Sequence, residues 1–173
     1  MAGFQDFLTH VRDKNLARSN RYEVEIMSPN GASSDMRIVS MLAEDVMFPG
    51  LLIGTKPLRI NNATHQRASF IDHMGDSLTI TFFCDTDWSA KNVFSDWMEL
   101  IVNPYTREVN YPSDYYGELN IYSLNEKDER IEGWNIMETF PRAIAPIQAS
   151  ATNAQPLRLP VSFAYFKWQK IDI

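Results

Sequence analysis

The residues that usually run chemistry are few and scattered in this chain. Its three histidines, His10, His65 and His73, form no His-Glu-x-x-His signature and no close pair on a helix. The densest grouping is the run Asp72-His73-Met74-Gly75-Asp76. There Asp72, His73 and Asp76 offer two carboxylates and an imidazole, the donor types a small metal-dependent enzyme uses. The same run is ordinary turn chemistry, because Asp and Gly satisfy and bend a tight reversal. Asp85 and Asp87 flank Thr86 ahead of a helical pattern. They read as hydrolase carboxylates or, more simply, as helix caps, since anions are favoured at a helix N-terminus. Cys84, the single cysteine, ends an apolar alternation as a small buried hydrophobe does. It cannot close an internal disulfide or build a cysteine zinc site. No nucleophile-elbow, P-loop or dinucleotide-binding glycine motif occurs, so acyl transfer, nucleotide hydrolysis and dinucleotide binding lack their minimal signatures. The residues argue for no enzyme, no cofactor and no bound metal.

The elements that would position these groups are mostly strands. Residues 21–26 alternate with Tyr22, Val24 and Ile26 on one face, Asn30-Gly31 suits a turn, and residues 36–42 are expected as a second strand. Phe48-Pro49-Gly50 breaks the chain, and 51–53, 58–60 and 68–71 read as the strands of a long hairpin. Residues 77–84 form the clearest strand, with Leu78, Ile80, Phe82 and Cys84 alternating against Thr79 and Thr81. The period then changes. From 87 to 102, Val93, Phe94, Trp97, Met98 and Ile101 recur at three and four, which makes one helix with these five on its core face. Thr86 or Asp87 would cap it and Asn103-Pro104 would stop it. Strands at 118–124 and 130–139 flank the charged tip 125–129. A last strand covers 157–168, in which Pro160 demands an edge or a bulge. Phe4, Phe7, Leu8 and Val11 stand at i, i+3, i+4 and i+7, so residues 1–19 read as an N-terminal arm or short helix.

Length and composition set the frame. A chain of 173 residues with 45% hydrophobic and 22% charged residues is one globular domain over 1–173. The pattern of strands with one helix favours an antiparallel β-sandwich or barrel with a flanking helix and excludes a doubly wound fold. Sixteen basic against twenty-two acidic residues leave a net charge of −6, which argues against duplex-DNA binding by bulk electrostatics. No basic leader or long apolar run marks a secretory signal or a membrane anchor. Residues 46–53 are too apolar for a free surface loop. They either contact another protein or fold over their own core.

Several stretches, in order, resemble the tail tube proteins of contractile-tailed, myovirus-type bacteriophages and, more remotely, the Hcp ring protein of type VI secretion. They are Leu16-Ala17-Arg18-Ser19-Asn20-Arg21-Tyr22 leading into a strand, the Phe48-Pro49-Gly50 turn before a hairpin with Lys56-Pro57-Leu58-Arg59-Ile60, Phe94-Ser95-Asp96-Trp97 in the helix, the Phe140-Pro141 connector and the final strand around Val161-Ser162-Phe163. The resemblance implies a β-sandwich or barrel with one flanking α-helix, assembled into hexameric rings that stack into a hollow tube. That tube conducts the genome into the host during sheath contraction. It also implies that residues 48–71 bridge subunits or rings, through Phe48, Pro49, Gly50, Leu51, Leu52, Ile53, Leu58 and Ile60. The implied partners are copies of the chain itself, tail sheath, tape-measure and baseplate proteins, and DNA in passage. The implied location is the virion tail, after synthesis in the host cytoplasm. The segments 28–35 and 105–116 are longer than the family pattern. Related alternatives are a baseplate tube initiator and a secretion-type tube protein.

Overall fold

The computed structural model describes residues 3–14, 16–29, 36–61, 63–75, 78–150, 152 and 154–173. The expected Asn30-Gly31 turn and Asp76 lie outside those residues, as do the side chains of Phe7 and His10. A helix, α1 (Phe4–Lys14), precedes β1 (Tyr22–Met27), whose Val24 and Ile26 are buried. The expected second strand is instead a short helix, α2 (Met36–Met41), followed by β2 (Ala43–Val46). Met36 and Val39, one helical turn apart, are both buried. Ser40 closes the turn by donating its hydroxyl to the Met36 carbonyl at 2.8 Å while accepting the Ile26 N–H at 3.2 Å.

The chain continues through β3 (Leu52–Ile60), β4 (Ala63–Asp72), β5 (Leu78–Phe83), α3 (Ser89–Ile101), α4 (Pro112–Tyr115), β6 (Gly117–Leu124), β7 (Arg130–Ile144), β8 (Arg158–Ala164) and β9 (Lys167–Ile171). Seven strands form one antiparallel sheet in the order β1-β6-β7-β8-β5-β2, with β9 also beside β7. The long β7 serves both halves of this sheet. Its first part pairs with β6 and β9, and Phe140 to Ile144 pair with β8. Between them Glu138 takes a positive φ of 52° and the β6 register shifts, so the strand bends by a bulge. That bend explains why residues 157–168 are two strands rather than one. A single straight strand could not follow both halves, and the chain breaks at Tyr165-Phe166 between β8 and β9. The sheet folds over until Tyr22 on β1 donates its hydroxyl to the β2 carbonyls of Ala43 and Glu44, closing the layers with a side chain.

Pro160 does not lie on an edge strand, because β8 runs between β5 and β7. It is tolerated because the β7–β8 ladder ends at Ile144↔Val161. Beyond that pair Ala145 donates to the Pro160 carbonyl at 2.9 Å, so the missing N–H falls past the last rung.

Helix α3 closes one side of the sandwich. Val93, Phe94 and Trp97 are buried, and Met98 and Ile101 are half-buried. The Phe94 ring lies 5.0 Å from Phe82 and 5.7 Å from Phe163, while the Trp97 indole donates to the Tyr115 carbonyl at 2.8 Å. A Cβ on Gly117 would meet the Trp97 ring at 2.7 Å, so only glycine fits there. The cap is neither Thr86 nor Asp87. Asp85 accepts the Ser89 N–H at 2.7 Å, and Trp88 takes a left-handed φ of 57° to let it. Hydrogen bonds from Ser89 hold the Asp85 carboxyl below its ordinary pKa. Besides α3, the helix α1 falls where the sequence predicts an N-terminal arm or short helix, and α2 and α4 are two helices that the sequence reading does not give.

Candidate assembly surface

The hairpin β3–β4 pairs with no strand of the main sheet; it is a separate two-stranded ribbon. Asn61, at a φ of 47°, makes the turn, and Ile60↔Ala63 is the first rung. The register shifts after Gly54, where the Phe70 ring lies across the glycine; a Cβ there would meet that ring at 2.3 Å. Among the described residues of the ribbon, every one except half-buried Gly54 is exposed. Yet it carries large apolar side chains: Leu52, Ile53 (56% exposed), Leu58, Ile60, Phe70 (56%) and Ile71 (65%). By the two-residue period of the pairing, Leu52, Leu58, Ile60 and Phe70 share one face, and Ile53 and Ile71 face each other on the other. Between Leu52 and Ile71 the charges are Lys56, Arg59 and Arg67 with no carboxylate, on a chain whose net charge is −6. An isolated two-stranded ribbon is marginal in water. Apolar side chains on both faces gain about 25 cal/mol for each Å² that a neighbour covers.

Both ends of the ribbon are anchored on the subunit's own sandwich. On the entry side Phe48 packs edge-on against Trp134 of β7 at 5.0 Å, and the Trp168 indole of β9 donates to the Gly50 carbonyl at 2.8 Å. On the exit side the His73 ring meets Trp168 edge-on at 5.7 Å, Tyr165 donates its hydroxyl to the His73 carbonyl at 2.5 Å, and the Tyr165 N–H reaches the Gly75 carbonyl at 2.9 Å. Asp72 accepts the Met74 N–H at 2.8 Å, so this carboxylate serves the turn. The two readings of residues 46–53 therefore divide. Phe48 and Gly50 touch their own sheet, although Phe48 stays 41% exposed, whereas Leu51, Leu52 and Ile53 stand in solvent with Leu58 and Ile60. Pro49 lies between them, half-buried.

The groups considered for chemistry do not converge. His73 belongs to the root of the ribbon and His65 to its exposed strand. Among the described residues no three His, Cys, Asp or Glu side chains stand where they could hold a metal ion. Burial, with Asp85 nearby, pushes the Cys84 thiol up and away from a reactive thiolate. The sequence reading missed Phe70 and Ile71 as exposed apolar groups, and it missed the anchors Trp134, Tyr165 and Trp168. The signal for the first pair was present: bulky residues on a strand whose partner strand is also apolar.

The β-sandwich keeps the described chemistry-bearing residues apart and extends an apolar ribbon that nothing in the subunit covers. The model of a family described as "Phage tail tube protein" matches residues 17–171, and the chain belongs to that family. Solved structures agree on the fold. A chain of the extracellular contractile injection system PVC, in a sheath/tube terminator in the extended state, aligns with a TM-score of 0.66 at 12% identity, covering 91% of this chain and 97% of that one. A chain of the anti-feeding prophage baseplate, 6-fold symmetrised, aligns with a TM-score of 0.64 at 15% identity, covering 90% and 95%. A chain of the PVC sheath-tube complex in the extended state aligns at 0.61 and 12%, covering 95% and 97%. A search of curated proteins finds no significant match.

Proposed function

We propose that this chain is the repeating subunit of a contractile tail tube, present in the virion, in which six copies close a ring and rings stack into a hollow conduit for the genome. The observation that carries the reading is the ribbon 52–72, apolar on both faces, basic and uncovered, on an acidic subunit. Ring stacking covers it with a second copy, and Leu52, Ile53, Leu58, Ile60, Phe70 and Ile71 then become inter-subunit or inter-ring contacts. Leu51 joins them, while Phe48, Pro49 and Gly50 hold the ribbon's root in place. Catalysis has no part in this work. The tube guides, the sheath that grips it drives contraction, and the tape-measure and baseplate proteins set its length and its start. A relative within a sheath-tube complex supports the sheath as partner. A relative in a baseplate supports a second reading, a short tube-initiating ring.

Negative-stain microscopy of the purified protein separates these. Long hollow filaments are expected of a tube body, and single rings that do not elongate favour the initiator. A protein that stays monomeric at high concentration overturns both. Replacing residues 53–71 by a short glycine-serine turn joins Leu52 to its partner Asp72 and should leave a folded subunit that no longer stacks. Filaments in that variant would remove the ribbon from the interface.

A further inference from the structure

Copies that join head to tail use two different surfaces of the same chain, so whatever receives the ribbon lies elsewhere on the subunit. The ribbon itself says what that surface has to offer. In its register Lys56 stands directly opposite Arg67, on the face that carries Leu58 and Ile60. Like charges in opposed positions of a ladder repel, and a counter-charge from outside the ladder relieves them. Among the described residues Lys56, Arg59 and Arg67 enter no ion pair. A matching surface is therefore apolar and carries carboxylates that no cation of its own subunit holds.

The loop that follows α3 has this composition. Val102 opposes Val109 in an isolated antiparallel bridge, and hydrogen bonds close the turn between them. The Asn103 side chain accepts the Tyr105 and Thr106 N–H groups at 2.9 and 3.2 Å, and the Asn103 N–H reaches the Glu108 carbonyl at 3.0 Å. Arg107 turns the chain at a left-handed φ of 58°. Asn110 fastens the loop to α3, donating its N–H to the Ile101 carbonyl at 3.0 Å and its amide to that of Leu100 at 2.6 Å. So held, Tyr105 stands 93% exposed, with Tyr111, Val102 and Val109 also in solvent. A ring fixed in water by a preformed loop gives up little freedom when it docks, and Tyr is among the side chains that carry most contact energy. From Asp96 to Asp114 the charges are Asp96, Glu99, Glu108 and Asp114 against Arg107. All four carboxylates are exposed, and among the described residues none enters an ion pair.

Other exposed apolar side chains have different neighbours. Met41 shares a groove with Arg37 and with Glu23 and Glu25, both already held by Arg130. Leu16 and Ile131 share theirs with Arg12, Arg18, Arg21 and Lys127. Trp88 carries the Lys91 ammonium over its ring at 5.2 Å. Cations at each of these places oppose those of the ribbon.

We infer that the tyrosine-bearing, acidic loop 102–114 of one copy is the surface on which the basic ribbon of a second copy seats. This rests on the tube reading above and names the receiving half of its contact. Leu58 and Ile60 cover the exposed rings and valines, and Lys56 and Arg67 gain the carboxylates that their own subunit does not supply. The complementarity also gives the contact a direction. A ribbon does not seat on a ribbon, nor a loop on a loop, so each copy receives one neighbour and offers itself to another.

A charge exchange between two variants tests this. Lys56→Glu, Arg59→Glu and Arg67→Glu together leave a copy whose ribbon and loop are both acidic; Glu99→Lys, Glu108→Lys and Asp114→Lys leave one in which both are basic. Neither variant alone should form filaments under conditions where the wild type does. An equimolar mixture should form them, because each ribbon then finds a loop of opposite charge, whether the contact lies within a ring or between rings. Filaments from the loop variant alone, or none from the mixture, overturn the assignment of the loop. Tyr105→Ala serves where a triple variant fails to fold, since it removes only an exposed ring. It should raise the protein concentration at which filaments appear by about tenfold. An unchanged concentration overturns the inference while the tube reading stands. If the wild type itself forms no filament or ring, the tube reading fails, and this inference with it.

Discussion

Strand β5 and the ribbon β3–β4 are made by the same backbone physics and meet opposite solvents. Both are antiparallel ladders, unbroken between β5 and β8 and shifted once after Gly54 in the ribbon, and both carry a dense run of apolar side chains. In β5 the burial alternates rung by rung, with Leu78, Ile80 and Phe82 fully enclosed. In the ribbon no apolar side chain is enclosed. Hydrogen bonding therefore does not distinguish a core strand from a docking strand; the destination of the apolar faces does. The sandwich covers its apolar faces within one chain, whereas the ribbon's stay exposed, which is what the proposed contact with another copy would cover.

The sharpest way to break this contrast is to remove one aromatic ring from each region. Phe94 is fully buried between Phe82 and Phe163, so Phe94→Ala should lower the unfolding free energy of the subunit by about 3–5 kcal/mol in urea titrations. Phe70→Ala, on an exposed ring, should change it by less than about 0.5 kcal/mol while weakening filament growth. A large loss from Phe70→Ala would mean that the ribbon is already packed within the single subunit.

A middle-sized effect probes how the sandwich finishes its own edge. Val24 and Ile26 turn the β1 edge toward α2, where the Ser40 hydroxyl accepts a hydrogen bond from the Ile26 N–H and donates one to the Met36 carbonyl. Ser40→Ala leaves the Ile26 N–H without its partner, while the Met36 carbonyl keeps its helical bond, and should cost about 1–2 kcal/mol, read from the same titrations, with filament formation intact. No change would show that water replaces the hydroxyl there.

Where the sequence was legible, a single period ran undisturbed. The alternation of 77–84 and the three-four spacing of Val93, Phe94 and Trp97 translate directly into β5 and α3. The ribbon was legible as a hairpin because Asn61 and Phe48-Pro49-Gly50 punctuate it. The failures have local causes. Residues 36–42 mix Ile38 and Val39 with a helical spacing of Met36 and Val39, and burial against the sandwich decides for the helix. The β8–β9 break follows from a bend in β7 at Glu138, a tertiary event that residues 157–168 do not encode. The family resemblance pointed to the ribbon, but its root lies in Trp134, Tyr165 and Trp168, more than sixty positions away in sequence, and no local pattern joins them.

The smallest effect separates the two regions by acid. The ribbon has no carboxylate between Leu52 and Ile71, so it contributes no acid-sensitive pair of its own. The sandwich does: two hydrogen bonds from the Arg158 guanidinium hold the Glu44 carboxyl below its ordinary value of 4.5, and the charge of Arg158 adds to the effect. A carboxyl whose pKa is lower folded than unfolded stabilises the fold fully above the unfolded value. Its contribution is lost as pH falls through the folded one. Arg158 is about half exposed, so solvent screens the pair and the effect is modest. Urea titrations of wild type and Glu44→Gln at neutral pH should differ slightly in favour of wild type, and the gap should close as pH drops below 4.5. The variant with residues 53–71 replaced should keep the same gap over the same range, since the groups responsible lie wholly in the sandwich. If replacing the ribbon instead abolished the gap, Glu44 and Arg158 would depend on the ribbon for their geometry, and the two regions would be energetically one.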